Sequence, residues 1–209
     1  ATTRLLRSEN QGPSAARNKG LVASTGELVA FLDADDLWNP RKLELQVGLM
    51  NRTNADLCFC SYEMFEAKTG KATGVVTTRN VDQALRRWLA MEGNGFAAGS
   101  TLLLRREFLK HTSAFSPELL AGEDFAFIWS AHQAGHATME RAVLVGYRFH
   151  GGQHHTNLEE TTRSMGKVYD AVFDGGGERA LERRCRANLD AHYGYNLLRD
   201  RRLSEGVYC

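Results

Sequence analysis

Residues 10–40 read NQGPSAARNKGLVASTGELVAFLDADDLWNP, and this stretch decides how the rest of the chain is interpreted. Within it, residues 13–24 show a helical pattern in which small residues recur every three or four positions. The apolar run at residues 28–32 then predicts a strand that is covered on both faces, as parallel strands are. The strand runs directly into three acids: Asp33, Asp35 and Asp36. Because open α/β sheets bind ligands at the carboxyl ends of their strands, this strand end is the first place to expect a site.

The composition limits the class of protein. The chain has 209 residues, which is enough for one domain with a buried core and a small C-terminal appendage. Its 26 basic and 25 acidic residues nearly cancel, so there is no overall field that would favour a nucleic acid partner. No apolar run reaches the roughly 18 residues that a membrane-spanning helix needs.

The cysteines and the last helix bear on localisation. Cys58 and Cys60 stand two apart in an apolar run, so they share one face of a strand and are predicted to be buried thiols. Buried, unpaired thiols favour a reducing compartment, so we expect a cytoplasmic protein. A peripheral contact with the anionic cytoplasmic face of a membrane is a further hypothesis, and an ordinary solvated helix is the alternative. The arginines on which it depends are Arg183, Arg184 and Arg186.

Helical and strand patterns alternate along the chain without repeats, which predicts the α/β class. The predicted strands cover residues 3–8, 28–32, 56–64, 72–78, 100–104 and 143–149. The predicted helices cover residues 13–24, 81–91, 125–134 and most of the chain from residue 159, and Asn39-Pro40 predicts the start of one more. That helix is expected to bury Leu43, Val47 and Met50. Gly26 is expected to end the first helix in the left-handed conformation.

The acids at residues 33–36 are candidates for a metal site. Mg²⁺ and Mn²⁺ prefer oxygen ligands and typically bind one or two carboxylates together with substrate phosphates. An acidic, solvated turn is the alternative. Crowding of three acids at one strand end is unfavourable without a cation, and this favours the metal site.

Three other segments carry candidate residues. Arg17 and Asn18 lie in a helix whose N-terminus is expected to point to the same sheet edge, where they could bind phosphate or base oxygens. Glu123 and Asp124 begin a helix, where acids are favoured by the helix dipole alone, although one could be a general base. The segment at residues 147–155, YRFHGGQHH, follows a strand and could contact a metal or phosphate.

These segments together resemble the inverting family 2 glycosyltransferases that have the GT-A fold. Their motif reads, loosely, E-N-x-G-x-x-x-A-R-N-x-G-x-x-x-A-x-G-x-[apolar]-x-F-L-D-x-D-D, and nearly every position from Glu9 to Asp36 agrees with it. Gly122-Glu123-Asp124 is similar to the acceptor-site motif of the family. Residues 147–150, YRFH, are similar to its late Y-R-x-H segment. The resemblance extends over about residues 5–157.

The resemblance implies a reaction and a role for each candidate. A sugar would pass from a nucleotide-sugar donor, expected to be a UDP-sugar, to a saccharide or lipid-linked acceptor in one displacement that inverts the anomeric configuration. Asp124 would be the catalytic base and Glu123 would help to orient the acceptor. The implied metal, Mn²⁺ or Mg²⁺, would bind Asp35, Asp33 and His150. The implied donor-binding residues are Asn10, Gly12, Arg17, Asn18, Asp33 and Arg148.

The chain also departs from the family pattern. Members begin with a strand such as V-S-V-I-I-P-x-Y-N, a helix, and a strand that ends in V-V-D-D-G-S, and none of these is present. We therefore expect a truncated sequence in which residues 1–157 form a partial GT-A domain and residues 158–209 a helical extension. The remaining sheet is expected to expose apolar edges. The Q-x-x-R-W motif of processive synthases is also absent, which favours transfer of single sugars.

Two other functions are open at this point. The chain could be a catalytically inactive fragment, or a nucleotide-binding remnant of such an enzyme. A nucleotidyltransferase would share the α/β sheet and the metal-binding acids. It fits less well, because those enzymes usually carry an early Gly-rich loop with a lysine, and nothing before Asp33 resembles one.

Overall fold

A six-stranded mixed sheet forms the centre of the fold. The structure is a computed structural model that describes residues 3–93, 98–149 and 158–199. The strands are β1 (Leu28–Ala30), β2 (Leu37–Trp38), β3 (Leu57–Glu66), β4 (Ala72–Val76), β5 (Leu103–Arg105) and β6 (Ala137–Phe149). Their order is β1-β5-β3-β6-β2, and β4 pairs with the far half of β3. Only β3 and β6 are parallel neighbours, while the other pairs are antiparallel.

Helices cover the sheet. They are α1 (Gly12–Ala23), α2 (Lys42–Thr53), α3 (Val81–Leu89), the single turn α4 (Ala98–Thr101), α5 (Glu123–Ala134), α6 (Leu158–Phe173) and α7 (Arg179–Arg199). A 3-10 helix, Arg106–His111, follows β5. No helix in the described ranges is long and apolar enough to cross a membrane.

The larger hydrophobic core lies between the sheet and helices α3, α5, α6 and α7. Leu57 and Phe59 of β3 are fully buried there, against Phe127 of α5 and Tyr169 of α6. Leu181, Cys185 and Leu189 of α7 belong to the same cluster. The C-terminal helices therefore share a core with the sheet, and the division of the chain at residue 157 stays a prediction.

The α/β class predicted from the sequence is confirmed, and most predicted elements are present. The strand after α1 is not a parallel strand but pairs antiparallel with β5 at the end of the sheet, and α2 begins at Lys42 with Arg41 as its N-cap, two residues after the predicted cap Asn39. Four further local predictions are wrong. Residues 3–8 form no strand and are exposed. Residues 98–101 are helical, so β5 begins only at Leu103. Gly26 does not adopt a left-handed conformation; α1 ends instead at Ser24, whose N–H bonds to the carbonyls of Gly20 and Leu21.

The fourth wrong prediction concerns the buried face of α2. Leu43 is 43% exposed, whereas Lys42 and Gln46 are completely buried together with Met50. The spacing of the buried stripe is helical, as predicted, but the stripe is shifted by one residue and carries polar side chains. These polar side chains prove to be part of the candidate site.

The thiol prediction holds. Cys58 and Cys60 are fully buried and unpaired, and burial raises the pKa of Cys58 to about 11 and that of Cys60 to about 12. Both thiols therefore remain protonated at neutral pH.

Gly135, directly after α5, tests the packing of this core. A Cβ at this position would overlap the Phe108 ring and lie 2.9 Å from Oδ2 of Asp56, which accepts the His136 N–H. We expect Gly135→Ala to lower the free energy of unfolding by about 1–3 kcal/mol, because the core must shift to admit the methyl group. Chemical denaturation measures this loss of stability.

The control is Gly166→Ala in α6, where a Cβ meets nothing within 4 Å. It should stabilise by up to about 1 kcal/mol. Equal effects of the two substitutions would contradict the packing described here.

Candidate functional site

The acid turn, defined as residues 33–36, lies directly beyond β1 and is held by its own backbone and by α4. The Asp36 N–H donates to the Asp33 carbonyl over 3.1 Å, and the Asp33 N–H donates to Oγ of Ser100 over 3.1 Å. Gly99 allows the close approach, because a Cβ there would lie 3.3 Å from Oδ2 of Asp33. The turn is thus fixed with the Asp33 carboxylate against the backbone of α4.

Asp36 and Arg148 connect the acid turn to the end of β6. The Arg148 N–H donates to Oδ1 of Asp36 over 3.1 Å, and Arg148 Nε donates to the Asp35 carbonyl over 2.7 Å. The Arg148 guanidinium also lies 4.8 Å from the centre of the Phe65 ring. Arg148 therefore lies beside the acid turn, as its predicted role requires.

The charge of the acid turn is only partly balanced. Burial raises the pKa of Asp36 to about 6, and the neighbouring acids Asp33 and Asp35 raise it further, whereas hydrogen bonds from Ser100 and Arg148 oppose the shift. Oδ2 of Asp36 is buried and has no hydrogen-bond partner within the described ranges. A cation near the turn would offset this unfavourable charge.

Arg17 joins the acid turn to α5. Its Nη2 lies 2.8 Å from Oδ1 of Asp33, and its Nη1 lies 2.6 Å from Oε1 of Glu123. The Arg17 and Glu123 side chains are 14% and 10% exposed, so their hydrogen bond is largely shielded from water, whereas the Asp33 side chain is 36% exposed. Although burial lowers the pKa of Arg17, the two carboxylates raise it well above its usual value, and the guanidinium stays charged. Residues 17, 33 and 123, which are distant in sequence, therefore meet in one ion-pair cluster.

Glu123 and Asp124 occupy the first turn of α5. Gly122 precedes them with φ of +79°, and a Cβ at this position would lie 2.8 Å from Sδ of Met165 in α6. Burial raises the pKa of Asp124 to about 7, and the Glu123 carboxylate raises it further, while Arg17 and the Phe125 N–H lower it. A carboxyl group with a pKa near neutrality is suited to accept and release a proton.

The other predicted donor-binding residues lie elsewhere in the same region. Oδ1 of Asn10 accepts the Gly12 N–H over 3.1 Å, and this bond fixes the exposed loop before α1, where Gly12 has φ of +83°. The Asn18 amide donates to the Phe115 carbonyl over 2.7 Å and accepts the Phe115 N–H over 3.1 Å. Asn18 thus holds α1 against the loop before α5, and its donor-binding role stays a prediction.

The predicted metal ligands are only partly described. Asp33 and Asp35 share the acid turn, but His150 lies outside the described residues. Within the described ranges, no group of three or more His, Cys, Asp or Glu side chains could hold a metal ion. The carboxylates and the buried, unpartnered Asp36 Oδ2 nevertheless fit a hard divalent cation that binds few protein ligands together with substrate phosphates.

A buried polar network supports α4 from the side opposite the acid turn, and the sequence did not reveal it. Lys42 donates to Oε1 of Gln46 over 2.7 Å, and its ammonium lies 4.2 Å from the centre of the Trp38 ring. Nε2 of Gln46 then donates to the carbonyls of Cys58 and Thr101, each over 2.9 Å. Because Oε1 accepts from Lys42, the amide of Gln46 has only one possible orientation.

The same network reaches Ser100. Nε1 of Trp38 donates to the Ser100 carbonyl over 2.8 Å, and Ser100 in turn accepts the Asp33 N–H. Burial lowers the pKa of Lys42 to about 8, and no carboxylate pairs with it within the described ranges. The sequence feature that could have indicated this network is the i, i+4 spacing of Lys42 and Gln46, which continues to the buried Met50.

Comparison with known proteins now gives the family. The family model described as glycosyl transferase family 2 matches residues 3–112, just over half of the chain. The chain belongs to glycosyltransferase family 2. The matched region contains α1, the acid turn and the network of Trp38, Lys42 and Gln46.

Curated relatives agree with this family 2 assignment. An uncharacterised glycosyltransferase of Nostoc sp. is 29% identical over 158 residues, which are 73% of this chain and 49% of the relative. A UDP-Glc:alpha-D-GlcNAc-diphosphoundecaprenol beta-1,3-glucosyltransferase of Escherichia coli, WfgD, is 39% identical over 54 residues, which are 26% of this chain and 21% of the relative. The match thus spans about half the length of the Nostoc relative and about a fifth of the length of WfgD.

A solved structure confirms the fold. The chain matches S. aureus TarS 1–349, crystallised in complex with UDP-GlcNAc, with a TM-score of 0.59 and 19% identity. The match covers 88% of this chain and 53% of the TarS chain. At this identity the likeness shows the fold, and it agrees with the GT-A architecture expected from the sequence.

Gln46 provides the test of the network in this family 2 chain. We expect Gln46→Leu to lower the free energy of unfolding by about 3 kcal/mol or more, because Lys42 and two carbonyls lose buried hydrogen bonds. The control is Gln133→Leu, an exposed position on α5, which should change stability by less than about 0.5 kcal/mol. Urea denaturation of both variants measures the difference. If the two variants are equally stable, the network does not support the site as described.

Proposed function

We propose that this chain carries most of the catalytic machinery of a metal-dependent, inverting and non-processive glycosyltransferase. The observation that carries the proposal is the Arg17 bridge, which places the acid turn and the Glu123-Asp124 pair in one cluster. Such a cluster can serve a nucleotide-sugar and an acceptor at once. The chain spans about half the length of several relatives. That the whole protein is an active transferase is therefore itself part of the proposal.

Asp124 is the proposed base. Its raised pKa, about 7, leaves a substantial deprotonated fraction at neutral pH that can accept the proton of an acceptor hydroxyl. The hydroxyl oxygen then attacks the anomeric carbon, the bond to the nucleoside diphosphate breaks, and the configuration inverts in that single step. Glu123 is already paired with Arg17, so its proposed role is to orient the acceptor.

Asp35 and Asp33 are the proposed protein ligands of a divalent cation, Mn²⁺ or Mg²⁺, with His150 as a further candidate. When bound, the cation supplies neutralisation of the negative charge that develops on the leaving diphosphate. Arg148 is proposed to add positive charge from the end of β6, next to the acid turn. Arg17 keeps Asp33 in place from the other side.

The donor and acceptor classes are inferred from similar proteins. TarS has been crystallised with UDP-GlcNAc, and WfgD is named as a UDP-Glc transferase that acts on a lipid diphosphate acceptor. Both support a UDP-sugar donor for this chain, and the name of WfgD also supports a saccharide or lipid-linked acceptor. We place the reaction in the cytoplasm, with a membrane contact as a further hypothesis.

Matched Asp→Asn substitutions test these roles. With a UDP-sugar donor and Mn²⁺, we expect Asp124→Asn to lower kcat by about 100-fold or more, because the base is lost. Asp35→Asn should lower turnover and also weaken UDP binding in the presence of Mn²⁺, as calorimetry would show. Asp190→Asn, at an exposed position on α7, should leave both unchanged. Calorimetry of the native chain with UDP and Mn²⁺ separates an inactive nucleotide-binding remnant, which binds without turnover, from an enzyme.

The pH dependence gives a second test. Asp124 acts only when it is deprotonated, so kcat/KM should fall as the pH decreases through about 7. Arg17 lowers the pKa of Asp124, so Arg17→Gln should move this fall to higher pH. Arg52→Gln, at an exposed position on α2, should leave the profile in place. A profile that moves to lower pH, or does not move, would argue against Asp124 as the base.

A further inference from the structure

A cavity of about 310 Å³ lies between β4, α3 and the segment that follows α3. Thr77 and Thr78, directly after β4, supply hydroxyl groups to its wall, and Gln83 supplies an amide. Val76 and Met139 add apolar surface. A small cavity with a mixed lining of hydroxyl, amide and apolar groups suits a sugar ring, which has hydroxyl edges and apolar faces.

The cavity also presents a positive charge. Arg87 lines it one helical turn beyond Gln83, and no ion pair of Arg87 exists within residues 3–93, 98–149 and 158–199. A Cβ at Gly93 would lie 3.4 Å from Nη2 of Arg87, which places the guanidinium close to the cavity rim.

The carboxylate nearest in sequence does not neutralise Arg87. Glu92 also lines the cavity, but its carboxylate accepts from Nε of Arg184 over 2.6 Å and from the Asn188 amide over 3.0 Å. Hydrogen bonding to Arg184 is the main reason that the pKa of Glu92 is lowered. The two α7 side chains thus hold Glu92 as a paired anion, although the charge of Arg87 also contributes to the lowered pKa of Glu92.

Helix α3, which lines the cavity, packs against the helix that carries the proposed base. Trp88, the residue after Arg87, stacks on Phe125 with ring centres 3.8 Å apart and an interplanar angle of 21°. Phe125 directly follows Asp124, and its N–H donates to the Asp124 carboxylate over 2.9 Å. The helix that carries Arg87 is therefore packed on the first turn of α5, which is the turn that carries the proposed base.

We propose that this cavity binds the acceptor and that Arg87 selects an acceptor carrying an anionic group, a phosphate or a carboxylate, next to the accepting sugar. The proposal rests on the glycosyltransferase function proposed above and adds the substrate class. A guanidinium binds phosphate or carboxylate through two parallel hydrogen bonds, which gives orientation as well as affinity. The Gln83 amide then contacts the sugar hydroxyls.

Calorimetry with defined probes tests the proposal, using the full chain with excess UDP and Mn²⁺ so that the donor site does not account for binding. The probes are an alkyl diphosphate of N-acetylglucosamine, an alkyl glucuronide and a neutral alkyl glucoside. We expect at least one anionic probe to bind, and Arg87→Gln to weaken its binding by about tenfold or more. Which anionic probe binds more tightly distinguishes phosphate from carboxylate. Arg87→Lys should recover part of the loss, because it restores the charge without the two parallel bonds.

The matched control is Arg52→Gln, which should leave binding of every probe within about twofold of the native chain. Equal binding of the neutral and anionic probes, equal effects of the two arginine substitutions, or no binding of either anionic probe would each overturn the proposal. Binding of UDP and Mn²⁺ alone is measured separately. Failure there, with the Arg87-dependent binding intact, would count against the proposed function and leave the anionic site standing.

Discussion

The site depends on a charge that is removed from water. Arg17 is largely buried, and a buried guanidinium is tolerated only where carboxylates face it with good geometry. Asp33 and Glu123 supply those carboxylates, one from the end of a strand and the other from the start of a helix. If either moved away, the others would keep an uncompensated buried charge. Three segments that are far apart in sequence are therefore held in one arrangement, whatever substrate is bound.

The acid turn has a second support, which is also polar and buried. Lys42 contributes little to stability directly, since burial opposes its charge and lowers its pKa. Its effect is on specificity: it fixes the orientation of the Gln46 amide, and Gln46 then fixes the carbonyls of Cys58 and Thr101. A hydrophobic pair at these positions could fill the same space, but the Thr101 carbonyl of α4, next to Ser100, would lose its hydrogen bond from Gln46.

Local sequence patterns predicted much of the fold, and tertiary contacts decided the rest. The apolar run before Asp33 depends on neighbours in the chain, so β1 was predictable. The predicted cap of α2 was wrong by two residues, because the helix begins at Lys42 with Arg41, not Asn39, as its N-cap. The buried face of α2 was not, because periodicity weights apolar residues, and Leu43 is exposed while Lys42 is paired inside. The role of Asn18 was likewise hidden, since its partner Phe115 lies 97 residues away. The ion pairs that join Arg17 to Asp33 and Glu123 were not predicted either, since the resemblance implied only a donor-binding role for Arg17 and an acceptor role for Glu123.

The C-terminal helices α6 and α7 hold the end of α3 in place. Tyr169 of α6 donates its hydroxyl to the Leu89 carbonyl over 2.8 Å, and Asn188 of α7 donates to the Ala90 carbonyl over 2.9 Å. These bonds fix the C-terminal end of α3, shortly before Glu92 and Gly93, which line the cavity. Two of the arginines that raised the membrane hypothesis form ion pairs at the surface, Arg184 with Glu92 and Arg186 with Asp170. Of these two pairs, the Arg184–Glu92 pair contributes to the charge of the cavity wall, because Glu92 lines the cavity.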